Sequence, residues 1–250
     1  MNMEFLPVRT GILSNGDVLS AAIRRACDIL PDDIVIISSK AVATCEDAFV
    51  DLTTINVSDI ARTEAEKTGR SPEFCQAVIN EALRMNGHVA GRCPGALLCV
   101  VHPSPSVTII AANAGMDQSN VPDGTALGWP RDSAASAKHL ASELGCAVII
   151  VDSCCTPLRT GISAYALACA CIDPIRDERG KPDLFGKPLR ITRDAIADEL
   201  AAGASVIMGN AAQATPAVIV RNHGLPRSNF AGWIETFRPE EDLFRDVLHL

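Results

Sequence analysis

The sequence lacks most of the signals by which function is commonly read. No cluster of lysine and arginine stands out along its 250 residues, and 30 acids against 22 bases give a net charge of −8. A nucleic-acid groove needs a basic face to neutralise phosphates, so nucleic acid is not an expected partner. An acidic protein that handles anionic ligands must do so locally, with metals, backbone amides or a few basic side chains. No segment approaches the roughly 20 apolar residues of a membrane-spanning helix. The longest greasy stretch, Gly161 to Ile172, is shorter and carries Ser, Tyr and two Cys. The opening MNMEFLPVRTG has an early Glu4, a Pro7 and no long apolar run, so no secretory leader is expected. The expectation is a soluble, cytoplasmic protein with no membrane partner.

Local motifs are missing too. There is no P-loop, no G-x-G-x-x-G, no G-x-S-x-G elbow, no H-E-x-x-H and no C-x-x-C. A bound nucleotide must therefore be held without the common motifs. Most of the ten cysteines, such as Cys99, Cys146, Cys169 and Cys171, sit in apolar runs and read as small buried hydrophobes. Cys154 and Cys155 differ because they follow a candidate active-site acid, but no basic residue adjoins them in sequence to lower a thiol pKa.

What is present is ample core material, with 48% hydrophobic residues and only 21% charged. Strand-like and helix-like segments alternate. Asp17 caps a predicted helix with Leu19, Ile23 and Cys27 on one face, and DIVIISS from Asp33 is a buried strand. Ser71-Pro72-Glu73 combines a capping serine, a first-turn proline and an early acid, and so starts a helix. A Gly/Pro break is expected from Gly91 to Gly95. After it, ALLCVV and VTIIAA form a hairpin around Pro103 and Pro105. Asp132 or Ser133 opens a helix through Leu144. CAVIIVD is a strand ending in an acid, Thr192 precedes a helix carrying Ile196, Leu200 and Ala204, and PAVIVRN is a late strand. The pattern predicts α/β architecture, α+β with mixed sheets. Residues 1–250 read as one unit, with two subdomains as the alternative, and 237–250 as a helical tail.

Three spots combine chemistry with small residues. Asn113-Ala-Gly-Met-Asp117-Gln-Ser119-Asn120 follows one strand, and Asp152-Ser153-Cys154-Cys155 follows another. Acids at strand ends are well placed for ligands, and with neighbouring Asn and Ser oxygens they suit Mg²⁺ or Mn²⁺, which share oxygen ligands with substrate phosphates. The competing reading is that each acid simply caps a turn. The third spot, Met208-Gly-Asn210-Ala-Ala-Gln213-Ala-Thr215, is small enough for backbone N–H groups to approach an anion.

These spots, in this order, resemble the coenzyme F420:L-glutamate ligase family. NAGMDQSNV matches its N-A-G-I-D-x-S-N-V, and Asp152-Ser153, Pro157, Arg159 and Gly161 fit its D-[ST]-x-G-R-P-x-R-x-G segment. RGKPDLFGKPLRIT, the ADEL helix, MGNAAQATPAVIVRN and RPEEDLFR resemble further family segments, so the likeness runs along nearly the whole chain. The resemblance implies an intertwined homodimer whose subunit has two parts. It also implies an enzyme that joins L-glutamate to the F420 precursor, or a related acid, using GTP, a divalent cation and a monovalent one such as K⁺. By residue match, Asp117 and Asp152 are the catalytic acids and hold the metal with Ser153 and Asn210. Gly11, Ser38, Ser39, Thr44, Asn120, Met208, Gly209, Asn210, Ala211 and Gln213 would contact the nucleotide, and Lys40 and Arg159 substrate or phosphate.

The departures fall at the site. Thr44 stands where the family has lysine, Asp47 where it has glycine, Cys155-Thr156 where it has Gly-Arg, and Asn210 where a glutamate can follow Met-Gly. Each change removes charge or room where phosphates would sit, and threonine cannot replace a charge-assisted contact. Two alternatives follow: an amide ligase of the same fold with another acceptor acid or amine, and a non-catalytic ligand-binding paralogue.

Overall fold

The computed structural model describes residues 2–244 and 246. The strands are β1 (Glu4–Val8), β2 (Ile34–Ser38), β3 (Phe49–Asp51), β4 (His88–Cys93), β5 (Ala96–Ser104), β6 (Val107–Ala112), β7 (Thr125–Leu127), β8 (Ala147–Cys155), β9 (Ile162–Ile172), β10 (Arg176–Asp177), β11 (Arg193–Asp194), β12 (Ala217–Arg221) and β13 (Arg227–Trp233). The helices are α1 (Leu19–Ala26), α2 (Ser39–Cys45), α3 (Asp59–Thr68), α4 (Pro72–Arg84), α5 (Ser133–Leu144) and α6 (Ile196–Met208). The fold is mixed α/β, as the alternation predicts.

The main sheet runs β1-β12-β2-β8-β9-β13, and β2 and β8 are its parallel pair. Both faces of these central strands are covered, which is why they read as unbroken apolar runs. Val35 and Ile37 join Val148 and Ile150 beneath α1 and α5, while Ile34 and Ile36 join Ile149 and Val151 against α6. A second sheet, β4-β5-β6, packs on α3 and α4 around Phe74, Val78, Leu97 and Trp129. Leu167 of β9 joins that core. No helix among the described residues is long and apolar enough to cross a membrane.

Several elements start as their sequences dictate. Ser71 Oγ accepts from the Phe74 N–H at 3.2 Å with Pro72 in the first turn, and Asp132 accepts from the Ala134 and Ala135 N–H groups ahead of α5. Others differ. Asp17 does not cap α1: its carboxylate takes the Ser14 N–H at 2.7 Å, tying the preceding turn, and Cys27 lies just past the helix. The break expected at Gly91–Gly95 is a strand, β4, with an irregular register at Val89–Gly91 and a turn only at Pro94–Gly95. The hairpin turn is Pro105–Ser106, and Pro103 lies inside β5 where its register slips. Thr192 lies upstream of α6, which Ala195 flanks without a side-chain bond. The Gly161–Ile172 stretch is strand β9. In the tail, Pro239–Glu241 forms a 3-10 turn, and the rest of the helix expected there falls partly on residues 245 and 247–250, outside the described residues.

Candidate active site

A cavity of about 660 Å³ opens where β2 and β8 end, walled by the loop after β6, the start of α2 and the loop after α6. Ligands of α/β sheets collect beyond the carboxyl ends of parallel strands for the reason seen here: side chains and backbone amides from several connections converge there. Of the residues singled out from sequence, Gly11, Ser38, Ser39, Lys40, Thr44, Asp117, Asn120, Asp152, Ser153, Met208, Gly209, Asn210 and Ala211 line it. Arg159 and Gln213 do not. Arg159 is exposed in the turn after β8. Gln213 folds back on its own loop, where its Oε1 accepts from the Ala211 N–H at 2.8 Å and its amide covers Gly209.

The loop after β6 is conformationally unusual. Asn113 (φ 52°), Ala114 (φ 50°) and Gly115 (φ 77°) run consecutively in the left-handed region, a strained arrangement that persists only where its surroundings over-determine it. Asn113 Oδ1 accepts from the Leu97 N–H at 2.9 Å and pins the loop to β5. Asp117 then exchanges backbone bonds of 2.9 Å with Leu127. Its carboxylate takes the Ser119 N–H at 2.9 Å, the Ser119 hydroxyl at 2.7 Å and the Lys40 ammonium. Burial pushes its pKa up, but the bonds from Lys40 and Ser119 outweigh that and hold it below the ordinary carboxylate value.

Asp152 is set differently. It lies within β8 and not at its end, because Ser153, Cys154 and Cys155 go on pairing with β9. Ser39 Oγ donates to its Oδ1 at 2.9 Å and Trp129 Nε1 to its Oδ2 at 2.6 Å. Burial raises its pKa against these two bonds and the charge of Lys40. Next to it, Ser153 Oγ donates to Asn210 Oδ1 at 3.2 Å and joins β8 to the loop after α6.

Among the residues lining the cavity, Lys40 is the single basic side chain, and it is engaged with Asp117 and with the Ser119 carbonyl at 2.8 Å. Among the described residues no group of three or more His, Cys, Asp or Glu could hold a metal. The oxygens available to a hard cation are the two carboxylates, the Ser153 hydroxyl and the Asn210 amide oxygen. Cys154 and Cys155 also face the cavity, but burial raises the Cys154 thiol, which makes it a poor nucleophile. Cys99, Cys146 and Cys169 are buried, with pKa values pushed to about 11, 12 and 12, as the small-hydrophobe reading expects. Cys171 is only half-buried, and of the ten cysteines just these three and Cys75 are buried, so the reading does not extend to most of them.

Sequence reasoning missed Trp129, whose N–H reaches Asp152 across a stretch of chain that no local motif spans. The one hint was a tryptophan beside a short apolar strand, where a buried indole needs an acceptor.

The cavity has the size of a small-molecule site, and comparison with known proteins gives the class of the chain as a ligase. Residues 7–222 match the family model described as F420-0:Gamma-glutamyl ligase. A Coenzyme F420:L-glutamate ligase of Methanothermobacter thermautotrophicus is 35% identical over 240 residues, covering 91% of this chain and 90% of that protein. Proteins of the same name from Natronomonas pharaonis and Methanopyrus kandleri are 33% and 31% identical, each covered to 92%, over 94% and 92% of this chain. The chain belongs to the F420-0:gamma-glutamyl ligase family.

Proposed function

We propose that this chain is a GTP- and divalent-metal-dependent amide ligase that adds L-glutamate to the coenzyme F420 precursor through an acyl phosphate. Family membership supports the glutamate ligation. The observation that carries the rest is the convergence of Asp117 and Asp152 on one cavity in whose lining small residues predominate. The donor set fits a hard cation: the two carboxylates with the Ser153 and Asn210 oxygens beside them are hard donors, and the Lys40 ammonium on Asp117 already stands in for a bound positive charge. Mg²⁺ or Mn²⁺ would be held by Asp117 and Asp152 with Ser153 and Asn210 beside them, and would neutralise charge on the transferring phosphoryl group. K⁺ belongs to the same reading.

The chain's own contribution is positioning and charge. Gly11, Ser38, Ser39, Asn120 and the Met208–Ala211 loop would take the nucleotide, and Lys40 its phosphates. The acceptor carboxylate attacks the γ-phosphorus and GDP leaves. The glutamate amine then attacks the acyl carbon, phosphate departs with the bonding pair, and the amine proton passes to water. A second copy of the chain completes the proposal. Leu158, Leu184, Phe185 and Ile191 are almost wholly exposed, an apolar display that suits a subunit contact.

A second reading, an amide ligase of this fold for another acid or amine, is favoured by the neutral Thr44, Cys155 and Asn210 in the cavity wall. Calorimetric titration of GTP and GDP, with and without Mn²⁺, tests the main reading. Metal-dependent binding that Asp117→Ala or Asp152→Ala abolishes is expected. Absence of binding under every metal condition would overturn the ligase reading in favour of a ligand-binding paralogue. Turnover of the F420 precursor alone in an acceptor panel would dismiss the second.

A further inference from the structure

The Trp129 side chain touches both acid-bearing segments. It directly follows Gly128 at the end of β7, is 1% exposed, and sits in the core under the β4-β5-β6 sheet. Its pyrrole edge does two things at once. Nε1 donates to Asp152 Oδ2 at 2.6 Å. The same edge lies so close over Gly115 that a Cβ there would stand 2.4 Å from Nε1 and Cε2. An apolar ring would fill this space as well. What indole adds is a donor, and its acceptor is the acid inside the cavity wall.

The second oxygen of Asp152 takes the Ser39 hydroxyl at 2.9 Å. One donor on each oxygen fixes the rotation of the carboxylate and leaves each oxygen with acceptor capacity. Asp117 is stitched to the same stretch of chain through its two backbone bonds with Leu127. The indole thus stands between the strand that carries one acid and the loop that carries the other.

We propose that Trp129 is a positioning residue that aims Asp152 at a divalent cation and, through its seat on Gly115, fixes the separation of Asp152 from Asp117. This rests on the reading of the two acids as the cation's holders. Outer partners of metal ligands act in this way, and losing one weakens metal binding by about 10- to 100-fold.

The test separates the hydrogen bond from the packing. Trp129 is replaced site-specifically by 3-benzothienylalanine, which keeps the bicyclic ring and has sulfur in place of N–H. Mn²⁺ affinity is read from the electron paramagnetic resonance of free Mn²⁺, with and without GDP, beside thermal unfolding. The expected result is affinity weakened by about 10- to 100-fold in a protein that unfolds within a few degrees of the parent. In the parent, the Trp129 indole proton resonance, assigned by its absence from the analogue, is expected to move when Mg²⁺ is added. Equal Mn²⁺ affinity in parent and analogue, or an unmoved resonance, overturns the positioning role and leaves the metal reading standing. A parent that binds no Mn²⁺ overturns both.

Discussion

Asp117 and Asp152 face one cavity from opposite surroundings. Asp117 stands on a loop with its side chain 45% exposed and takes a charged donor, Lys40, together with Ser119. Asp152 lies inside a strand and takes two neutral donors, Ser39 and Trp129. Burial pushes both upward, yet Asp117 ends below the ordinary carboxylate value and Asp152 above it. A third acid shows which difference matters. Asp33, just ahead of β2, exposes only 1% of its side chain, and both its oxygens take the guanidinium of Arg221, at 2.8 and 2.7 Å. Burial raises it too, and the bonds from Arg221 and the Leu30 N–H carry it below the ordinary value. The two acids that take a charged donor end below the ordinary value, and the one that takes only neutral donors ends above it.

The comparison breaks or holds most visibly at Arg221. Arg221→Leu leaves Asp33 buried with no cation, and the expected loss is about 3–5 kcal/mol of unfolding free energy in urea titrations. Asp33 has a depressed folded-state pKa, so its contribution is present above the unfolded value of about 3.9 and is lost as pH falls through the folded value. The difference between parent and variant should therefore shrink on acidification. A loss below about 1 kcal/mol at neutral pH would mean that pairing does not set the sign.

What the sequence made legible was local. The unbroken apolar runs of β2 and β8, the caps of α4 and α5, and the small-residue loops after β6 and α6 that wall the cavity all follow from neighbours a few residues apart. What it concealed depends on pairing at a distance. The Ala- and Cys-rich run of β9 has little strand propensity of its own and becomes a strand because β8 and β13 flank it. Asp152 looks like a strand end because polar residues follow it, and only the pairing of Ser153 with Ala164 and Cys155 with Ile162 carries the strand onward. Gln213 was placed at the site by residue match to the family, yet its amide satisfies its own loop's backbone. Trp129 was missed altogether, because its bond to Asp152 joins segments that are far apart in the chain.

Two glycines sharpen the account of how the acids are held. Gly11 and Gly115 both have φ of 77°, so alanine is strained at either by about 1 kcal/mol. They differ in surroundings: a Cβ at Gly11 meets nothing within 4 Å, and at Gly115 it meets the Trp129 ring at 2.4 Å. Gly115→Ala should cost about 2–4 kcal/mol, since overpacking adds to the strain, and Gly11→Ala about 1 kcal/mol. Denaturant midpoints measured side by side decide this. Equal losses would mean that the indole is not seated against the loop, and that the Asp117 segment is held independently of Asp152.

The smallest effect is the most discriminating, because its sign differs between the two acids. Asp152 has a raised folded-state pKa, so the stability contributed by its protonated form is fully present below the unfolded value and is lost as pH rises through the folded one. Asp152→Asn removes that loss while an amide can still accept from Trp129 and pair with Ser39. The variant should gain about 1 kcal/mol at neutral pH even as it loses the proposed ligation. Asp117 has a depressed pKa, so its stabilisation is present above the unfolded value and is lost as pH falls through the folded one. Asp117→Asn strips Lys40 of its partner and should lose stability, but solvent screening of a half-exposed pair limits that to about 0.5–1 kcal/mol. Thermal unfolding of both variants from pH 2 to 8 reads the two signs directly, the Asp117 change falling below about pH 4 and the Asp152 change above it. The curves should diverge in opposite directions from the parent toward neutral pH and converge on it toward acid. Shifts of the same sign would mean that one shared field, dominated by Lys40, governs both carboxylates, and the division between charged and neutral donors would not describe this site.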